Sequence, residues 1–333
     1  MLPGLTLAHR SWPLATPFRI SRGVRTSAEV IVATVCDGIH VGRGESVPYA
    51  RYDESVESVL ADARLLTQVV LQGLDRAQLA ELLPPGAARN AIDCALWDLQ
   101  ARREGTSVAE MLGQPPALPS LASAQTVSLD TPEAMGRAAA ALQGLELVKI
   151  KVDARQPAEQ IRAVRQALPD ARLIVDPNES WDIDLLRELQ PVLAQTRIDL
   201  VEQPLPAGED GVLEGFESAV RLCADESCHV AADLPRLRRL YQVVNIKLDK
   251  TGGLTGALEL LQAARAQDFG IMVGCMICPS LAIAPAWHVA RHAEFVDLDG
   301  PLWLREDHPG GVVLRDGRLQ PPSPSLWGAP APA

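Results

Sequence analysis

Several features are missing from this 333-residue chain, and each absence removes a class of function. No window holds the roughly 18 apolar residues of a membrane-spanning helix, and the start, MLPGLTLAHRSWPL, has no cationic segment ahead of a long apolar run. The expectation is a cytoplasmic protein. Positive charge is in deficit, with a net charge of −11 and a pI of about 5.1, which argues against nucleic acid or an anionic membrane as partner. The six cysteines form no common zinc pattern: Cys275 and Cys278 make a C-x-x-C inside an apolar run, and Cys223, Cys228 and His229 have no matching spacing. Buried reduced thiols are expected instead. No glycine-rich turn follows the first strand of the repeating part of the chain, which argues against a dinucleotide fold, and the G-x-G within GRGES (42–46) lies in a meander.

What is present suits a soluble globular chain, 47% hydrophobic and 22% charged, with ample material for a large core. Residues 29–47 set apolar side chains two apart around Asp37-Gly38, a two-residue hairpin signal, and read as an antiparallel meander. From Asp53 to Gly113 the pattern is helical, and ARNAIDCALWDLQARR keeps Ala91, Cys94, Ala95, Trp97 and Leu99 near one side. QPPALPSL, from Gln114, reads as a linker. Eight short apolar strands then alternate with helical segments, and Lys151, Asp176, Glu202, Asp225 and Lys247 recur every 22 to 26 residues. The eighth strand is followed by no full helix. The expected fold is therefore α/β, a (β/α)7β TIM-like barrel (120–305) with an N-terminal α+β capping domain (1–115). The segment 306–333 is expected to return to the capping domain through a second Asp-Gly hairpin, GVVLRDGRLQ, and to end in a loosely held tail, PPSPSLWGAPAPA.

LVKIKVD (147–153) raises the functional question. As a strand it sends Lys149 and Lys151 to one face and Val148, Ile150 and Val152 to the other, so two ammonium groups enter a buried layer. Polar residues close nearly every other strand too: Thr126, Asp176, Glu202, Asp225, Lys247, and Asp297 with Asp299. A single strand-end Asp is commonly a helix cap, but seven strands ending this way on the rim that hosts barrel active sites are not explained by capping. Asp176, Glu202 and Asp225 lie on neighbouring strands 3, 4 and 5; three converging carboxylates call for a hard divalent cation, and all-oxygen ligation favours Mg²⁺. Lys151 and Lys247, on strands 2 and 6 of eight, face one another across the mouth. A carbon acid held between them can lose a proton to one and regain it from the other, leaving in between an enolate whose charge the cation holds. Burial, the cation and Lys149, about 7 Å along the strand, are expected to lower the base's pKa, and Lys149 to neutralise a substrate carboxylate. The competing reading is a buried ion-pair network without chemistry. A metal-dependent hydrolase is disfavoured because no strand ends in histidine.

These residues also resemble a known family. K-I-K at 149–151, D-P-N at 176–178, V-E-Q-P at 201–204, A-D-E-S at 224–227 and N-I-K-L-D-K-T-G-G at 245–253 are similar to the enolase superfamily, muconate-lactonizing-enzyme subgroup. The likeness runs over almost the whole chain, including G-R-G-E (42–45) and the helix A-R-N-A-I-D-C-A-L-W-D-L. It implies the barrel with its capping domain and the pairing of lysine bases with Mg²⁺, a known property of that superfamily. Within the subgroup, D-L-D-G-P at 297–301 resembles the D-x-D of dipeptide epimerases, which implies that Asp297 and Asp299 hold a dipeptide α-ammonium. G-C-M at 274–276 and the loop P-F-R-I-S-R-G-V-R-T-S resemble the L-Ala-D/L-Glu epimerases, which implies Arg25 on the glutamate side-chain carboxylate. Thr126, Lys149 and Met276 complete the expected substrate-binding set. Pro177 and C-M-I-C-P-S (275–280) depart from the pattern. The implied activity is a Mg²⁺-dependent 1,1-proton transfer epimerising L-Ala-D-Glu to L-Ala-L-Glu in murein peptide breakdown. N-acylamino acid racemisation, o-succinylbenzoate synthesis and cycloisomerisation are the alternatives. A small dipeptide is the only partner implied; a homo-oligomer is compatible with the sequence but not specified by it.

Overall fold

The N-terminal alternation forms a three-stranded antiparallel sheet in the computed structural model, which describes residues 3–71 and 73–330. Its strands are β1 (Gly4–Ile20), β2 (Gly23–Cys36) and β3 (Val41–Ser46). The expected meander begins at residue 29, whereas the sheet begins at Gly4. The reason lies in Pro13 and Pro17: the β1–β2 register shifts between Pro13 and Phe18, where two residues lack the N–H a regular ladder needs, and alternation is lost. The released stretch serves another purpose, because Leu14 bridges Leu304 and Arg305 N donates to Pro13 O, tying the sheet to the end of the barrel. The Asp37-Gly38 turn takes four residues rather than two: Asp37 N donates to His40 O, while the Asp37 carboxylate accepts from the backbone of Ile39 and His40.

The long helix Ala87–Glu104 is buried on nearly all sides, not on the one face its pattern suggests, because it is sandwiched between this sheet and the barrel. Gly42 and Gly44 of β3 permit that packing. A Cβ on Gly44 would lie 2.1 Å from Ala91 O, and one on Gly42 2.1 Å from Ala95 O. The G-x-G here serves close backbone approach. On its other side the helix fastens the segment that follows Lys247: Arg89 donates to Thr251 O, Asn90 to the Asp249 carboxylate, and Asp93 accepts from Thr255.

Eight parallel strands follow: β4 (Gln125–Val127), β5 (Leu147–Lys151), β6 (Arg172–Asp176), β7 (Leu200–Glu202), β8 (Arg221–Ala224), β9 (Val243–Ile246), β10 (Gly270–Gly274) and β11 (Phe295–Asp297). They pair in chain order, and Ser123 bridging Val296 closes the ring. One side chain from each of seven strands, Leu147, Ile174, Leu200, Cys223, Val243, Met272 and Phe295, with Ala124 just ahead of β4, makes a dry apolar plug inside the barrel. Because side chains repeat every two residues along a strand, the next layer up is read directly: Thr126, Lys149, Asp176, Glu202, Asp225, Asn245, Gly274 and Asp297. The barrel interior changes from apolar to ionic in one step.

After β11 the hairpin of β12 (Val313–Arg315) and β13 (Arg318–Gln320) does not reach the capping domain as expected; Leu319 bridges Leu121, just ahead of β4, and Arg318 meets Ser120 and Glu146. The following residues do reach it. Leu326 and Trp327 are buried, Trp327 Nε1 donates to Cys94 O, and Gly328 N donates to Asp98, so this part of the tail is held by the long helix. The last three residues of the expected loose tail, 331–333, lie outside the described residues.

Candidate active site

The ionic layer and the residues one step above it gather at the C-terminal mouth of the barrel. The chain has four lysines among its 31 lysines and arginines, and all four are here, buried: Lys149, Lys151, Lys247 and Lys250. Lys151, at the end of β5, and Lys247, just past β9, stand four strands apart in a ring of eight and so on opposite sides. Lys151 Nζ contacts Asp176 Oδ2 at 2.5 Å, and Lys247 Nζ contacts Asp225 Oδ2 at 2.6 Å. Gly274 makes room for the second of these, since a Cβ there would lie 3.0 Å from Lys247 Cε.

Each acid of the trio has one oxygen held by the scaffold and the other facing an ammonium. Asp176 Oδ1 accepts from Asn178 N at 2.9 Å, Glu202 Oε1 from Asn245 Nδ2 at 2.8 Å, and Asp225 Oδ1 from Lys250 Nζ at 2.7 Å. The second oxygens meet Lys151, Lys149 and Lys247 respectively. Lys149 is expected on a substrate carboxylate, but its Nζ lies instead 3.0 Å from Asp176, 2.6 Å from Glu202 and 2.8 Å from Asp297; a cation inside a buried acidic ring takes its nearest counter-ions. At Lys247 the shift runs opposite to the lowering expected of the base. Burial pushes Lys247 down, yet Asp225 and Glu202 outweigh it and hold the ammonium above its ordinary range. Burial, with Asp176 as neighbour, pushes Glu202 up to about 7 despite Lys149.

As the side chains stand, no three acidic, histidine or cysteine groups among the described residues converge closely enough to grip one ion, because ammonium groups lie between the acids. The donor set nevertheless fits a hard divalent cation. It is all oxygen and fully buried, and each acid is oriented through one oxygen while the other meets only lysine ammonium groups.

Above the acids lies a cavity of about 390 Å³ roofed by the β1–β2 hairpin. Arg25, Thr126, Lys149, Lys151, Lys247, Met276, Asp297 and Asp299 all line it. Of the arginines on the hairpin, Arg22 is consumed by Glu226 at 2.8 Å and Glu179 at 2.9 Å, and Arg19 pairs with Asp130 at 3.4 Å. Arg25 lies 4.9 Å over the Tyr49 ring, and among the described residues no carboxylate pairs with it. It is thus a cavity cation without a counter-ion. On the barrel side, Asp297 Oδ1 is buried without a hydrogen-bond donor, and Asp299, pushed up to about 6 by burial and by Asp297, accepts from Thr126 N. A cavity lined by both an unpaired guanidinium and an acid short of a donor suits a ligand carrying an anionic and a cationic group.

Residues 3–113 match the mandelate racemase / muconate lactonizing enzyme N-terminal domain, and residues 133–326 the enolase C-terminal domain-like family. The chain belongs to the mandelate racemase/muconate lactonizing enzyme family. It is 46% identical over 93% of its length to the L-Ala-D/L-Glu epimerase of Escherichia coli, covering 97% of that protein. It is 45% identical over 90% of its length to an N-acetyl-D-glutamate racemase of Pseudoalteromonas, covering 95%. An Agrobacterium tumefaciens enolase-family protein with homology to dipeptide epimerases, solved with sodium and L-Ala-L-Glu, superposes with a TM-score of 0.95 at 46% identity, over 98% of this chain and 100% of that one.

In this mandelate racemase/muconate lactonizing enzyme family member, the mouth also contains residues that the reading of strand ends passed over. Asn245 and Gly274 belong to the ionic layer but are uncharged, and their strand position, two residues above Val243 and Met272, is the signal that places them. Lys250 lies past the end of β9, on the short helix Leu248–Thr251; it donates to Asp225 Oδ1, to Asp225 O and to Asn245 O. No strand periodicity points to it.

Proposed function

We propose that this family member is a Mg²⁺-dependent dipeptide epimerase that inverts the C-terminal residue, with L-Ala-D-Glu and L-Ala-L-Glu as its substrates. The observation that carries the reading is the pair of lysines on opposite sides of one cavity that Arg25 and Asp297/Asp299 also line. Asp176, Glu202 and Asp225 would hold the cation. Bound there, it would offset both the negative charge that builds on the substrate carboxylate and the acidic field that now keeps Lys247 protonated. Lys151 and Lys247 take and return the α-proton: the C–H bond on one face breaks as an N–H bond forms, and the opposite ammonium gives its proton to the other face. Asp297 and Asp299 receive the α-ammonium, Arg25 the glutamate side-chain carboxylate, and Thr126 and Met276 shape the wall between. Lys149 orients Asp297 and balances the acids. An L-Ala-D/L-Glu activity fits a cytoplasmic role in recycling peptidoglycan peptides.

The test is solvent deuterium exchange at the glutamate α-carbon with Mg²⁺ present. Label entering both epimers supports the reading, and no exchange from either overturns it. The relation to an N-acetylglutamate racemase favours a second reading, racemisation of an N-acylated glutamate. Such a substrate carries no ammonium, so Asp299→Asn would leave its turnover unchanged while impairing a dipeptide.

A further inference from the structure

The turn Gly300–Trp303 directly follows the D-L-D segment and folds Trp303 back over Asp299. The indole Nε1–H donates to Asp299 Oδ2 at 3.2 Å, and Thr126 N donates to the same oxygen at 2.8 Å. Two donors on one oxygen fix the direction in which the carboxylate presents itself to the cavity. The same indole meets Phe18 edge to face, with ring centroids 4.6 Å apart at 73°. Phe18 lines the cavity, and with Leu14, Ala28 and Leu304 it forms a small apolar cluster joining β1 to the end of the barrel. One side chain thus touches both a cavity acid and the capping strand that roofs the cavity. A tryptophan needed only for packing would satisfy its N–H on any nearby carbonyl or water; this one uses a carboxylate that the cavity needs.

We propose that Trp303 is the positioning residue that aims Asp299 at the ligand's ammonium, and that it makes this aim depend on β1 being seated. The proposal rests on the reading of Asp297 and Asp299 as the ammonium site. Calorimetry with L-Ala-L-Glu and with its N-acetylated form, on the Mg²⁺-loaded wild type and on Trp303→Phe, Trp303→His and Asp299→Asn, tests it. Trp303→Phe keeps a ring against Phe18 but removes the N–H. It should weaken the free dipeptide roughly tenfold while changing the N-acetylated form by less than about twofold. KM should rise in the same proportion, with kcat within about twofold of wild type. Trp303→His, which retains a ring N–H, should recover most of the affinity. If Asp299→Asn weakens the dipeptide and Trp303→Phe does not, the proposal falls while the ammonium reading stands. If neither variant weakens it, both fall. Equal losses for both ligands in Trp303→Phe reduce the indole to packing and also overturn the proposal. Should Trp303→Phe not fold, Trp303→His carries the test: wild-type selectivity for the free dipeptide supports the proposal, and a uniform loss overturns it.

Discussion

At the residue scale, the choice between lysine and arginine decides what the mouth can do. A guanidinium holds its proton above any working pH and can only bind, whereas an ammonium can be brought to give its proton up. This chain places lysine only at the barrel mouth and assigns its other cationic positions to arginine, including the cavity-lining Arg25. Opposed lysines make a specific kinetic prediction. Lys151→Ala and Lys247→Ala should each lower epimerisation by about 10³-fold, within the range for loss of a general acid–base group. Each variant should still exchange the α-proton of one epimer for deuterium and not that of the other, with the retained epimer differing between the two. Nuclear magnetic resonance of both epimers in deuterated buffer measures this directly. Two variants that retain the same epimer would place the lysines on one side of the substrate and end the two-base account.

At the element scale, the capping domain is a clamp on the segment that follows Lys247. The helix Ala87–Glu104 is pressed onto β3 at Gly42 and Gly44, and its Arg89, Asn90 and Asp93 grip residues 249–255. Gly44→Ala would set a methyl 2.1 Å from Ala91 O, against backbone on both sides, and cannot be absorbed by a rotamer change. It should cost about 2 kcal/mol or more, seen as a drop of several degrees in the thermal midpoint, with activity falling alongside. Unchanged stability would mean that the helix is free to lift. The same elements show what was legible in the sequence. The eight barrel strands and their polar ends could be read because buried parallel strands announce themselves as short apolar runs, and an ionisable residue closing such a run stands out. The β1–β2 ladder could not, because Pro13 and Pro17 interrupt alternation where the chain leaves the sheet to meet Leu304. Lys250 and Trp303 could not either: they act from turns beyond the strands, and their partners, Asp225 and Asp299, are fixed only by tertiary packing.

At the scale of the whole molecule, acid is in excess and part of it is buried at the seam between the two domains, which gives stability a definite pH dependence. Burial pushes Asp249 up to about 7 and Asp93 up to about 6, although backbone and side-chain donors pull the other way. In both, the folded pKa lies above the ordinary value of 3.8, so the folded chain binds the proton more tightly than the unfolded one. Their contribution is therefore greatest below pH 3.8, declines as pH rises through the interval to about 7, and is flat above it. Asp249→Asn keeps an acceptor oxygen for Val47 N and for Asn90 while removing the charge. Its thermal midpoint should overtake that of the wild type as pH rises from 4 to 8, ending about 3 °C or more higher; parallel curves would show that Asp249 is not titrating in the folded state. Removal of the metal should behave differently, because the mouth carries its own counter-ions. With Lys149, Lys151, Lys247 and Lys250 already paired to the acids, loss of a cation leaves no bare cluster of negative charge to push the barrel apart. A chelator should abolish α-proton exchange while leaving the fold intact. Adding Mg²⁺ back should stabilise the fold only by mass action, by about 2.7 kcal/mol at a hundredfold excess over Kd, and raise the thermal midpoint accordingly. Calorimetry through a Mg²⁺ titration measures both: chelated protein that unfolds at ambient temperature would show the lysines unable to stand in for the ion, and a midpoint indifferent to Mg²⁺ would show that the acids bind none.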